Sequence, residues 1–237
     1  LVNPPITTPW HGRYIILDGA TRYTAMKEMG LPHVIVQAVP PDQAGFELHT
    51  WYHAISNDAS AAPNTLYDHL SQLQTVTLHP LPAEQLQNAF QNDDALCYFL
   101  DRDGEARLAT AVATTDHLTA MNDLVAAYTA WGSVERTLLT DLPRLLAQFP
   151  QMVAVAVFPQ FTPSDVFDAA RAGDFLPAGL TRFVIPGRIL RLNADLTRLQ
   201  GDIPLAKKRA WFNAFLEQKL ARSRLRYYQE PVILLDE

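Results

Sequence analysis

Apolar positions first gather at residues 14–17, a Tyr-Ile-Ile-Leu run that Asp18-Gly19 interrupts. So short a run, cut by a turn-forming pair, predicts a strand; residues 20–29 then predict a helix that Gly30 closes as its C′ residue. Val34, Val36 and Ala38 alternate with Ile35, Gln37 and Val39, and that period of two predicts a second strand. The opening therefore reads strand, helix, strand. Residues 46–55, with Trp51, Tyr52 and His53 in their midst, suit either a strand or a short helix. The Asn, Ser, Ala, Asp and Pro of residues 57–64 cannot bury a periodic face and mark a linker. We therefore expect one unit over residues 1–57 and a larger domain over residues 65–237.

Beyond the linker the pattern predicts helices at 66–73 and 82–90, the latter with proline in its first turn, and a strand at 75–78. Residues 96–100 and 106–112 flank Asp101-Arg102-Asp103-Gly104, whose Asp-Gly pair supplies the positive φ of a tight hairpin. Helices follow at 119–131 and 142–148, and the alternating Val and Ala of 153–158 predict a buried strand. Thr162-Pro163-Ser164-Asp165 combines an N-cap, a proline at N1 and a first-turn acid, with Gly173 as the stop. Residues 180–192 read as a strand bent at Pro186-Gly187, residues 204–220 as a helix with Phe212, Phe215, Leu216 and Leu220 on one face, and residues 226–235 as a closing strand. Strands and helices mix without a repeat, so the fold class is mixed α/β (α+β).

Composition narrows the function classes. The chain has 237 residues, 48% of them hydrophobic and 19% charged, enough to bury a sizeable core. No apolar run reaches the ~18 to 20 residues of a bilayer span, so a membrane role is not expected. Cys97 is the single cysteine, which excludes an intramolecular disulfide and suits a reducing cytoplasm. A net charge of −6 opposes loose binding to nucleic acid. The basic residues Lys207, Lys208, Arg209, Arg222, Arg224 and Arg226 near the end form a local patch, for which a solvated helix face is the commoner explanation. No Walker loop, Gly-x-Gly-x-x-Gly or Gly-x-Ser-x-Gly is present, and no pattern here specifies an oligomer.

Two stretches carry candidate chemistry. In Leu17-Asp18-Gly19-Ala20-Thr21-Arg22-Tyr23 a strand enters a helix through Asp-Gly, which points unpaired backbone N–H groups and the helix dipole at a phosphate. Gly19, Thr21 and Arg22 are phosphate-binding candidates, and Asp18 is a candidate to hold magnesium or orient an attacking hydroxyl. The same residues also suit an N-capping aspartate followed by a solvated arginine. The second stretch, Pro177-Ala-Gly-Leu-Thr181-Arg182-Phe183, brings a loop's amides, a hydroxyl and a guanidinium to one point, again suited to phosphate or to a surface ion pair. His53, Arg188 and Arg191 are further candidates to line a cleft.

The Tyr14 to Pro32 stretch resembles the strand, turn and helix motif of the ParB/sulfiredoxin-like superfamily. Ala20 stands where sulfiredoxins carry their reactive cysteine, and no helix-turn-helix follows as in chromosome-partitioning ParB proteins. The turn is more similar to the Asp-Gly-His-His-Arg-like turn of the free L-serine kinases: Asp18, Gly19 and Arg22 are kept, whereas Ala20 and Thr21 replace both histidines. Pro177 to Arg182 and the closing Arg226-Tyr-Tyr-Gln-Glu-Pro resemble the same group's later segments, so the resemblance runs nearly the whole chain. It implies a ParB-like N-terminal unit packed on a larger C-terminal α/β domain with the site in the cleft between them. It also implies ATP or ADP as phosphoryl donor, magnesium as cofactor and free L-serine as acceptor. The family's catalytic glutamate would precede Leu1, which implies that the N-terminal unit lacks its first part. The alternative is a ParB-like nucleotide-binding transcriptional regulator without catalysis.

Overall fold

The polar pair His11-Gly12 turns the chain back on itself. Both residues have positive φ, 44° and 78°, the backbone of a type I′ hairpin turn, and β1 (Ile6–Trp10) pairs antiparallel with β2 (Arg13–Asp18) across it. The register slips by one residue between Ile6 and Thr7, so that Asp18 faces Ile6 while Ile16 faces Thr7. Such a bulge re-aims the side chains at a strand's end, here just before the Asp-Gly turn. Helix α1 (Ala20–Glu28) follows. It stops as expected: Gly30 has φ 68°, its N–H reaches the Lys27 carbonyl and that of Leu31 reaches Met26, the paired bonds of a Schellman motif. Met26 and Leu31 share one buried cluster, which is the hydrophobic contact that accompanies this cap.

The structure is a computed structural model describing residues 1–57 and 63–227. Of the strand expected at 34–39, only β3 (Gln37–Ala38) forms, parallel to β1. Ile35 and Val39 are buried as the alternation requires. However, the chain before Ile6 is Pro4-Pro5, which has no N–H to offer a longer ladder.

The next residues build a different unit. β4 (Glu47–Thr50) and β5 (Tyr52–Ser56) resolve the ambiguous 46–55 stretch as two strands. After α2 (Pro63–Leu70) and β6 (Val76–Pro80), residues 82–90 form a 3-10 turn at Ala83–Asn88 rather than an α-helix. β7 (Ala95–Asp101) and β8 (Ala106–Ala111) make the expected hairpin, in which the Asp101 carboxylate accepts the N–H groups of Asp103 and Glu105. Next come α3 (His117–Trp131), β9 (Ser133–Thr137), α4 (Leu142–Gln148), β10 (Met152–Val157), α5 (Pro163–Ala172) and β11 (Thr181–Val184). α5 carries the expected Thr162 cap and Gly173 stop.

Six strands form one antiparallel sheet in the order β6-β8-β7-β10-β5-β9, and β11 pairs separately with β4. Every residue of β10 is buried, with Ala154 and Ala156 packing among Leu66, Leu70, Met121, Leu124 and Tyr128 of α2 and α3. On the opposite face Val155 and Val157 pack on Leu145 and Phe149. Helices therefore cover both faces of the sheet's centre. β9 went unforeseen because Ser-Val-Glu-Arg-Thr is an edge strand with a single apolar residue, too little for a readable alternation.

The chain then returns to the first unit. Leu192, Ala194 and Leu199 join Met26, Leu31 and Ile35 in its buried cluster, flanked by Trp211, Phe212, Phe215 and Leu216 of α6 (Leu205–Ala221). Leu220, expected on that face, is 57% exposed. The two compact units are thus Leu1–Phe46 with the residues from Ile185 onward, and Glu47–Val184. This differs from the expected division at 57–64, because β5 is an interior strand of the six-stranded sheet and belongs with Glu47–Val184 rather than with Leu1–Phe46. The strand expected over 180–192 ends at Val184; Gly187, Arg191 and Asn193 have positive φ, which no ladder accommodates. The closing strand expected from 226 lies, from residue 228, outside the described residues. Among the described residues no helix is long and apolar enough to cross a membrane.

Candidate functional site

In the first unit, β2 delivers the chain to Gly19, which caps α1 with φ 88° and ψ 28° and makes no side-chain capping bond. The first intrahelical bond is Tyr23 N–H to the Gly19 carbonyl, 2.9 Å. Ala20, Thr21 and Arg22 therefore present N–H groups without a partner among the described residues, aimed out of the helix start. This sets aside the capping alternative for Asp18, whose carboxylate is held elsewhere. Its Oδ1 accepts from Arg22 Nη2 at 3.3 Å and its Oδ2 from Arg188 Nη1.

Arg22 is committed in a way its position in the motif did not indicate. Its Nη1 donates to the carbonyls of Asn3 (2.8 Å) and Pro4 (3.2 Å) while Nη2 reaches Asp18. Its guanidinium lies flat against Gly19: a Cβ there would stand 2.9 Å from Arg22 Cζ. Gly19 is thus required twice, for the left-handed backbone and for the closeness of the arginine. The Arg22 guanidinium thus ties Asp18 to the chain that enters β1.

Arg188 and Arg191 come to the same unit from the far end of the chain. Gln37 fastens their segment through its side-chain amide, donating to the Gly187 carbonyl (3.0 Å) and accepting from Ile189 N–H (2.9 Å). Asn3 fastens it again, its Oδ1 accepting Arg191 N–H at 2.8 Å. Asn3 and Gln37 were not foreseen; their partners lie 188 and about 150 positions away, and nothing local marks them. The Arg191 side chain is exposed.

The remaining candidates belong to the second unit. β11 sets Thr181 opposite Thr50 and Arg182 opposite His49, and the Arg182 guanidinium lies over the Trp51 ring, 5.0 Å from its centroid. His49 Nε2 contacts Glu47 Oε2 at 2.7 Å. His53 does not line a cleft: it is 3% exposed, between Tyr128 Oη (2.7 Å from Nδ1) and the Gly179 carbonyl (3.3 Å from Nε2). The carbonyl can only accept, so Nε2 bears the proton and Nδ1 accepts from the tyrosine. Burial lowers the pKa of His53 and Arg136 lowers it further, while the Gly179 bond opposes them, so the ring is held neutral. Among the described residues, no group of three His, Cys, Asp or Glu side chains gathers to hold a metal.

No family model matches the chain. It is 29% identical over 232 residues, 98% of its length and 82% of the relative's, to an ATP-dependent L-serine kinase, SbnI, of Staphylococcus aureus strain NCTC 8325. The solved structure of C-terminally truncated SbnI superposes over 93% of this chain and 83% of its own, with a TM-score of 0.71 and 23% identity. A free serine kinase in complex with AMP matches 84% of this chain and 80% of its own, with a TM-score of 0.66 and 15% identity. The chain has the free serine kinase fold. Within that fold Asp18 and Arg22, two residues of the motif carrying the resemblance, are hydrogen-bonded to one another, and the third, Gly19, lies against the Arg22 guanidinium. At the two positions where the resemblance would place histidines, Ala20 and Thr21 leave the free serine kinase fold here with an open helix start, both residues being exposed.

Proposed function

We propose that this chain is an ATP-dependent kinase that phosphorylates free L-serine to O-phospho-L-serine. The observation that carries the reading is the uncapped start of α1 beside a doubly held carboxylate, in a chain similar to a serine kinase along 98% of its length. The N–H groups of Ala20, Thr21 and Arg22 and the Thr21 hydroxyl would take phosphate oxygens, with the helix dipole adding favourable potential. Arg22 would hold Asp18 in place, and Arg188, exposed on its own loop, would exchange Asp18 for phosphate oxygens.

ATP would supply the transferable phosphoryl group and magnesium the charge neutralisation. One carboxylate together with substrate phosphates is the usual magnesium environment, and Asp18, 42% exposed on its side chain, fits it once Arg188 withdraws. A bond forms between the serine oxygen and the terminal phosphorus as the phosphorus–bridging-oxygen bond breaks, and the hydroxyl proton passes to a base. Thr181 and Arg182 are proposed as an anion contact of the second unit, with Arg191 a lesser one of the first. A reducing, cytoplasmic setting is supported by Cys97, a lone buried thiol.

Phosphorus NMR of the protein with magnesium, L-serine and ATP or ADP tests the reading. A growing phosphoserine signal is expected and names the donor. Nucleotide binding with no transfer from either donor overturns the kinase reading in favour of a nucleotide-binding regulator.

A further inference from the structure

The second unit contains a built cationic corner that the reaction outlined above does not use. Pro177-Ala178-Gly179-Leu180 forms a turn closed by Leu180 N–H on the Pro177 carbonyl (3.4 Å), with Gly179 at φ 95°. Two residues directly opposite one another on neighbouring strands, His53 on β5 and Arg136 on β9, grip that glycine. His53 bonds its carbonyl, and the Arg136 guanidinium lies against its Cα, where a Cβ would stand 3.0 Å from both Nε and Nη2. The strand ladder, the buried His53–Tyr128 pair and the glycine's missing side chain therefore all define where this guanidinium rests.

An arginine that merely solvates a surface is mobile and needs no glycine to make room for it. Arg136 is exposed, yet its guanidinium is stacked on backbone and makes no hydrogen bond or ion pair among the described residues. Arg22 is stacked on Gly19 in the same manner, but its donors go to two carbonyls and a carboxylate. A guanidinium whose position is set in advance and whose N–H fork is unspent is preorganised for a bidentate oxyanion. Thr181 and Arg182 follow Gly179 after a single residue, Leu180, so the turn that Arg136 covers is also the turn that leads into both.

We propose that Arg136 is an oxyanion-binding residue, taking a carboxylate or phosphate group of a reactant on its N–H fork. The identity of that reactant rests on the kinase reading; the oxyanion chemistry does not. The test compares the full chain with R136A and R136K by calorimetric titration with L-serine, ethanolamine, ADP and inorganic pyrophosphate, with Tm measured for each variant. If the group is the acceptor's carboxylate, R136A weakens L-serine binding about ten- to a hundredfold, leaves ADP unchanged and abolishes the preference for serine over ethanolamine. If it is a phosphate, ADP and pyrophosphate weaken by that factor and serine does not. R136K, which keeps the charge but loses the fork, recovers only part of the affinity in either case. Unchanged affinities in R136A with native Tm, or a uniform loss for every ligand with a lowered Tm, overturn the proposal. A wild-type protein that makes no phosphoserine but binds pyrophosphate through Arg136 sinks the kinase reading alone. A wild-type protein that binds none of the four probes sinks this one.

Discussion

Two corners of this molecule use the same construction for different ends. At Gly19 and at Gly179 a left-handed glycine leaves one side of the backbone bare, and an arginine, Arg22 or Arg136, lies against it. Around Gly19 the arginine is surrounded by acceptors: the Asn3 and Pro4 carbonyls and the Asp18 carboxylate. Around Gly179 the glycine's own carbonyl already serves His53. The same stacking thus yields a positioning residue in one case and an unspent cation in the other. What an arginine does is decided less by where it sits than by what is left for its N–H groups to bind.

The largest test of that difference removes the carboxylate that distinguishes the corners. D18A should lower kcat for serine phosphorylation about 100- to 1000-fold while leaving nucleotide affinity within a few-fold, since the helix-start N–H groups remain; assay by phosphorus NMR with calorimetric titration checks both. Preserved kcat would remove Asp18 from the reaction. Next in size is the glycine itself. G19A forces a side chain onto a φ of 88° and against Arg22, and should cost about 1 to 3 kcal/mol of stability along with most nucleotide binding. G179A should cost a similar amount but spare nucleotide affinity if Arg136 serves a carboxylate. Urea unfolding and titration separate the two.

A smaller effect concerns pH. The His53 pKa is lowered in the folded protein, chiefly by burial, so the unfolded chain binds its proton first as pH falls. The neutral ring's stabilisation is complete above the ordinary histidine pKa of about 6.5. It declines by about 1.4 kcal/mol per unit as pH drops from there toward the lowered value. Thermal unfolding between pH 7.5 and 5 should show this slope, and H53N, less stable throughout, should lack it. The smallest effect is chemical: burial raises the Cys97 thiol pKa well above its usual range, so a thiol reagent should modify it only at the rate of unfolding.

How much of this was legible depended on distance along the chain. The α1 and α5 boundaries, the 101–104 hairpin turn and the Asp18-Gly19 corner are written within a few residues, and the structure has them where the pattern put them. The likeness to free serine kinases was read from short local motifs, and the chain has that fold. Arg188, by contrast, meets Asp18 across 170 residues, and its partnership has no local signature. His53 read as a cleft residue because its aromatic neighbours in sequence gave no hint that β5 lies inside a sheet. Arg136 stayed hidden for the converse reason: a polar edge strand looks like a loop, and the glycine that gives the arginine its place is in another part of the chain.

The interrupted makeup of the first unit sets a timetable for synthesis. Glu47–Val184 is one continuous stretch and has all its strands once Val184 leaves the ribosome. The earlier residues cannot finish: Met26, Leu31 and Ile35 wait for Leu192, Ala194, Leu199 and the aromatic face of α6, which are made only after Val184. Leu1–Phe46, translated before the second unit, is therefore completed after it, and its apolar residues are the ones a chaperone would meet on the nascent chain in the meantime.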